Sequence, residues 1–536
     1  HTSRNDSTKK TQITITIVCV FFRTTVLEHM SNTGNTELTP LVEETSLSLS
    51  LSPSAQASSY GGTTGHDHGG AMEEGEGADK SSSENNNHNP SIGMWGSMSI
   101  AVNSLTGPAM LTLPATFQRS GLIPTTFTLL FVAGLSALCS LHMADTISKV
   151  PGNKHYQHEI EFSEAFEKFW GHRWFLVTQF VYFGCVTCLN ISSIVDTSQV
   201  VDTFLGHHLP QGSFAVQFWG PASPHRMVHF IRWSAAHCTQ DELLLGECIP
   251  FMDDDDEGSL LLTGGYMVAA LIFFPLCLLD LKENASWQIF GFLVLLMTSV
   301  QFIISFCATG IDLERVSLWG ESWNSLFGVV LFNFALVIAI PAWLYEKHPS
   351  IDVPAVIHGS TALSTLMYIS IGAVGAIAIP NVSDNMLESM MSGAFGPIMA
   401  GGATIFAFFI IGLGIPLFSV LTRMSLLGTN LCSSSRQANL WSVYMPWCCS
   451  WMVYHGVTHL LAWGGVLFTS VVAFILPLLL SLHTIMEFYE ETQGSITVYN
   501  NLFVETKESE TLALYILLAL ASGSVFLAIV GLMVSD

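Results

Sequence analysis

The chain has 536 residues, of which 50% are hydrophobic and only 11% charged, with a formal net charge of −24. A water-soluble domain carries roughly 25% charged residues, so this composition excludes an ordinary soluble protein. The acidic balance excludes a nucleic-acid partner, which calls for basic patches.

The chain opens on His1, and Met30 reads as an alternative start that would leave residues 1–29 outside the native coding sequence. The run "ITITIVCVFF" (13–22) is shorter than the roughly 20 residues a spanning helix needs. Residues 30–90 are rich in Ser, Asn, Gly and acids, as in "SSSENNNHNP" (81–90). Too little apolar surface is available there to offset ordering entropy. Residues 1–90 are therefore expected to form a disordered acidic region.

From residue 91 onward the chain is a series of eleven apolar runs: 92–117, 122–147, 174–203, 260–281, 286–308, 324–345, 355–380, 394–426, 440–457, 460–482 and 511–534. Lipid offers backbone groups no partners, so such runs are expected to be helices. The segment "EIEFSEAFEKFWG" (159–171) predicts a helix with one apolar face, lying either in the interface or on the protein itself. Between runs three and four lies a long polar loop, 204–259, with His207, His208, His225, His229, His237 and "DDDDE" (253–257). The His spacing matches no compact metal site, and a solvated acidic loop is expected. Cys238 and Cys248 in this loop are a candidate disulfide in an oxidising lumen. With residue 91 on the cytosolic side, nine Lys and Arg residues fall in cytosolic connections and four on the opposite side. The positive-inside rule then places the N-terminus in the cytosol. The sequon Asn381-Val382-Ser383 falls on the outer side, which makes Asn381 a candidate glycosylation site.

The first run contains "SLTGPAMLTLP" (104–114), with Gly107 and Pro108 at its centre. Gly and Pro are the poorest helix formers. A break inside lipid is tolerated where the freed backbone faces protein or a cavity. The sixth run, "LFGVVLFNFALVIAIPAWLYEKHP" (326–349), carries Gly328, Asn333 and Pro341 and no charge until Glu346. Interrupted helices in corresponding positions of two five-helix halves of opposite orientation are the sequence pointer to an inverted-repeat transporter. Asn103 and Asn333 are then uncharged polar groups at similar depth, able to hydrogen-bond a zwitterion.

"SMSIAVNSLTGPAMLTLPATFQRSG" (97–121) resembles the first span of the amino acid/auxin permease family. The resemblance continues through "DLKENASWQ" (280–288), "FGVVLFNFALVIAIPAWLYEKHP" and "GIPLFSVLTRMSLL" (414–427), covering residues 91–534 as one transporter domain. It is nearest to the vacuolar-type transporters of fungi and algae. The resemblance implies an all-α membrane protein of about eleven helices, a LeuT-like 5+5 inverted repeat with broken helices 1 and 6, and an additional C-terminal helix. It also implies amino acid transport coupled to an ion gradient, without a cofactor. By position, the substrate backbone would meet Asn103, Ser104, Leu105, Thr106, Gly107 and Ala109, with Asn333, Phe334 and Ala335 opposite. In sodium-coupled relatives a hydroxyl stands just before the Pro of the eighth span, whereas "IIGLGIP" (410–416) has Gly412 and Gly414 there. That departure favours H+ as the coupling ion over sodium or no coupling, and an acidic endomembrane compartment over the plasma membrane.

Titratable candidates for a proton carrier are Asp145, Asp196, Asp202, Asp280, Glu283, Glu346 and His142, all expected in wet interfaces near span ends. His358, His455 and His459 read as interfacial caps. The sequence contains no HExxH, Walker A, GxSxG or paired CxxC, so no enzyme is expected. A receptor or nutrient sensor without transport is the competing reading from a different class.

Overall fold

The computed structural model describes residues 92–106, 108–218, 228–234, 238, 250–251, 260–380, 382, 385–391, 395–452, 464–488, 498–499 and 506–535. The expected N-terminal region 1–90, Gly107, Cys248, Asn381, His225, His237, His455, His459 and the acidic run 253–257 lie outside these residues.

The first apolar run is divided. Helix α1 (Met94–Leu105) leads into a 3-10 turn, Pro108–Thr112, and then α2 (Leu113–Ser120). Helix α3 (Leu122–Lys149) follows directly. The turn between α2 and α3 needs Gly121, whose φ is +89° and whose position leaves no room for a Cβ against Gly320 N, 2.3 Å away. Helix α4 (Phe162–Trp170) is fixed at its start by a capping box between Glu161 and Glu164. Its Phe162 and Phe166 are wholly buried, and the Phe162 ring stacks on Tyr182 of the long helix α5 (His172–His208) at 5.2 Å. Of the two placements open to this segment, the structure shows packing on the protein itself.

Two boundaries differ from the hydropathy reading. Helix α5 continues to His208, past the expected end of the third run at residue 203. The fourth run is not one helix, because Leu260–Thr263 forms a strand. This strand, β3, joins β1 (Ser213–Phe218) and β2 (Val228–Trp233) in an antiparallel sheet of order β2-β1-β3. The "LLLT" strand has the same apolar character as the helix after it. Hydropathy could not separate the two, whereas backbone pairing with 215–218 does. An all-α description therefore needs this sheet added. Thr263 then caps α6 (Gly264–Leu276) by accepting from Tyr266 N.

Helix α7 (Leu281–Thr309) is followed by a second divided run: α8 (Leu326–Phe332), a 3-10 turn at Leu336–Ala339, and α9 (Ile340–Glu346). Asp352 caps α10 (Val353–Ala378) through its carboxylate. After the short α11 (Met386–Met391) comes a continuous stretch of α12 (Pro397–Phe406), a π segment Ala407–Ile411, and α13 (Gly412–Gly428). Helix α14 (Ser435–Asn439), a π segment and α15 (Met445–Met452) precede residues 453–463, which hold the expected boundary near Gly456 and are not described. Two π segments (Gly465–Thr469 and Val471–Ile475) lead into α16 (Leu476–Phe488), and α17 (Lys507–Ser535) is last.

Among the described residues, eight helices are long and apolar enough to cross a membrane. The divided α1–α2, the 13-residue α6 and the α14–α15 segment are further apolar helical pieces. The two divided helices run antiparallel and are tied at both ends. At one end Ile92 N donates to Glu346 O and His348 N to Ile92 O; at the other Leu122 N donates to Ser317 O and Gly320 N to Ser120 O.

Candidate functional site

The site begins with backbone. Thr106 leaves the helix with φ −81° and ψ 73°, and Pro108 has no N–H to offer. In the partner run Asn333 ends α8, and Ala335 sits at φ −88°, ψ 33° before the 3-10 turn. Helix ends leave carbonyls without intrahelical donors, and inside a membrane other groups must supply them.

Three side chains from neighbouring helices do so. Tyr368 of α10, fully buried, donates its hydroxyl to Leu105 O at 2.6 Å and stands 3.3 Å from Asn333 O. One phenol thus reaches a carbonyl at each break. Its ring meets Phe334 edge-on, with centroids 5.4 Å apart. Ser136 of α3 donates to Phe334 O at 2.8 Å. Tyr182 of α5 donates to Ile338 O at 3.0 Å. None of these three was marked by the sequence, because each lies in an unbroken apolar helix far along the chain from its acceptor.

The residues expected to line the site are brought together, but their side chains are used differently from the expectation. Asn103, Ser104, Leu105 and Thr106, with Asn333, Phe334 and Ala335, are all buried. Ser104 and Thr106 donate to Ala101 O and Val102 O of their own helix. Asn333 Nδ2 donates to Val329 O. Asn103 turns to α7, its Nδ2 donating to both Gln288 O and Gln288 Oε1 at 2.8 Å. Gln288 Nε2 in turn donates to Asn284 Oδ1 and to Leu413 O of α13. Gly291 lies beside this network: a Cβ there would crowd Leu413 Cδ1 at 2.9 Å and touch Asn103 Nδ2 at 3.4 Å. Among the described residues Asn103 Oδ1 is buried with no hydrogen-bond partner, which leaves an acceptor beside the first break. Ala109 lies in the first turn of Pro108–Thr112, where N–H groups lack intrahelical acceptors.

The Gly412–Gly414 stretch follows a π segment, and such segments recur at functional sites. A Cβ on Gly412 would collide with the Phe273 ring at 2.3 Å, whereas one on Gly414 would rest 3.6 Å from Ser193 Oγ.

Four of the titratable groups expected in wet interfaces are buried. His142 contacts Ser481 Oγ at 3.0 Å and Tyr499 Oη at 2.9 Å. Asp145 pairs with Lys149 at 2.6 Å. Asp202 accepts from Ser213 Oγ at 2.6 Å and Gly265 N at 2.7 Å, tying α5 to the sheet and to α6. Asp196 accepts from Ser192. His358 is exposed. Asp280 is exposed beside Arg423, as expected for an interfacial position. Cys238 is disulfide-bonded.

Residues 90–231 match the family model described as transmembrane amino acid transporter protein. No curated protein matches the chain. The matched stretch contains the first break, Ser136, Tyr182 and all of α5.

Proposed function

We propose, from the match of residues 90–231 to the transmembrane amino acid transporter family model, that this multi-pass membrane protein is a secondary active carrier of neutral amino acids. The observation that carries the reading is the hydroxyl of Tyr368, which reaches Leu105 O and Asn333 O across the two breaks. The amide oxygen of Asn103, without a partner among the described residues, is an acceptor suited to an ammonium group. The N–H groups at the start of Pro108–Thr112 suit a carboxylate. No charged side chain stands among Asn103, Ser104, Thr106 and Asn333, so the recognised ligand is a zwitterion of no net charge.

In this reading the eight long helices, the divided first helix, α6 and the α14–α15 segment make eleven spans. The first ten form two inverted units of five, and alternating access operates around the breaks. The N-terminus is cytosolic, from the excess of Lys and Arg on that side. H+ is the coupling ion and an acidic endomembrane compartment the location, supported by Gly412 and Gly414 where a sodium site would draw on hydroxyls. The test is uptake of a panel of labelled amino acids into proteoliposomes under imposed pH or sodium gradients. Saturable uptake of neutral amino acids stimulated by the pH gradient is expected, and strongly reduced uptake in Asn103→Ala and Thr106→Ala. Stimulation by sodium alone refutes the coupling, wild-type kinetics in both variants refute the site, and binding without uptake makes the protein a sensor.

A further inference from the structure

We propose that Asp196 of α5 carries the coupling proton, an inference that rests on the proton-driven reading above. The other buried titratable candidates are engaged: Asp145 by Lys149, Asp202 by Ser213 and Gly265 N, and His142 by Ser481 and Tyr499. Asp196 is different. It is 8% exposed, and its one hydrogen bond among the described residues is from Ser192 Oγ to Oδ2 at 3.1 Å. Among the described residues no cation pairs with it. An ionisable group inside a membrane helix is costly to keep and marks a pathway more often than a scaffold.

The described surroundings of α5 agree. Helix α6 brings Tyr266, whose hydroxyl donates to Trp447 O at 2.6 Å. Helix α13 brings Arg423, which is held by Cys277 O, Leu279 O and Asp280. Helix α15 brings Cys448 and Cys449, and α4, at the opposite end of α5, brings Glu164, Glu167 and Lys168. Strand β2 carries His229 and Arg232, with Arg232 over the Phe230 ring. Helix α12, β1, the turn Pro108–Thr112 and the three π segments against α5 carry no titratable group. On α5 itself stand His172, Arg173, Tyr182, Cys185, Cys188, Asp202, His207 and His208. None of these described groups bonds to Asp196.

Its position suits the role. Leu189, Asp196 and Val200 share one helical face by their spacing, and Leu189 and Val200 belong to the core that also holds Leu105, Met110 and Phe334. Helix α5 touches the turn Pro108–Thr112 just after the first break. Ser193, one turn before Asp196, lies beside Gly414, and the adjoining Leu413 O accepts from the Gln288 that holds Asn103. Asp196 thus stands three residues, about 4.5 Å of helix rise, along α5 from a residue that neighbours the stretch anchoring Gln288. In the packed arrangement a carboxylic acid fits this site, because an ionised form would lack both water and a cation. When the helices part, water reaches the group and the proton leaves to the side that is open.

The test uses the full chain in proteoliposomes, a mixture of labelled neutral amino acids and a pH-sensitive dye in the lumen. Asp196→Asn, which copies the protonated acid, is expected to exchange internal for external amino acid while losing both accumulation under a pH gradient and substrate-dependent proton flux. Asp196→Glu is expected to restore both with an altered pH profile. Wild-type accumulation and proton flux in Asp196→Asn overturn the assignment and leave the transport reading intact. Loss of exchange in both variants makes Asp196 a structural residue and also overturns it. Absence of proton flux in the wild-type protein removes the proton-driven reading itself.

Discussion

Replacing Tyr368 with Phe keeps the ring and removes a single oxygen, so it isolates the bond that reaches both breaks. The lost partner leaves Leu105 O, now 2.6 Å from a donor, unpaired in a site with no water access, and Asn333 O loses its 3.3 Å contact. Leaving one buried acceptor unsatisfied costs about 1–3 kcal/mol. Spread over a conformational equilibrium, that is a shift of roughly 5- to 150-fold away from the arrangement described. Two measurements read it: the thermal unfolding midpoint of the detergent-solubilised protein and the initial rate of amino acid uptake. Both are expected to fall. Ser136→Ala removes the donor to Phe334 O at the same break, so its effect should not add simply to that of Tyr368→Phe. A Tyr368→Phe protein with wild-type midpoint and wild-type uptake would show that the hydroxyl joins nothing of consequence.

Gly265→Ala places a Cβ 2.2 Å from Ser198 O and 2.7 Å from Asp202 Cγ, so α5 and α6 must separate, at a cost of about 1–3 kcal/mol; a lowered melting midpoint is expected, against no loss for Gly134→Ala, where nothing lies within 4 Å. Glu161 is buried at the start of α4, and burial first, then the charges of Glu159 and Glu164, hold its carboxyl well above the usual carboxylate range. The folded state then binds this proton more tightly than the unfolded chain, so the associated stability is present below the ordinary value of 4.5 and is lost as pH rises toward the folded value. Glu161→Gln keeps a cap acceptor and cannot ionise; its melting midpoint is expected to depend less on pH than that of the wild type, and equal slopes in the two proteins would refute the argument.

The sequence by itself determined that the apolar runs are predominantly helical and where two of them are interrupted. Runs of about 20 apolar residues leave no alternative to intrasegment hydrogen bonding in lipid, and Gly107-Pro108 and Asn333 mark the interruptions because backbone preference is a local property. Local properties also explain the limits of that reading. Hydropathy is blind to whether "LLLT" at 260–263 is strand or helix, since both are apolar and only pairing with β1 distinguishes them. It gave α4 two equal placements, which the Phe162–Tyr182 stacking resolves. It put His142, Asp145, Asp196 and Asp202 in water because they lie near run ends, whereas the packing of α3 and α5 buries all four. The partners of the breaks were out of its reach altogether. Tyr368 lies 263 residues from Leu105, and Gln288 lies 185 from Asn103. Ser136 lies 198 from Phe334. A buried carbonyl must find a donor wherever the fold brings one, and only the tertiary arrangement of α3, α5, α7 and α10 decides which side chain that is.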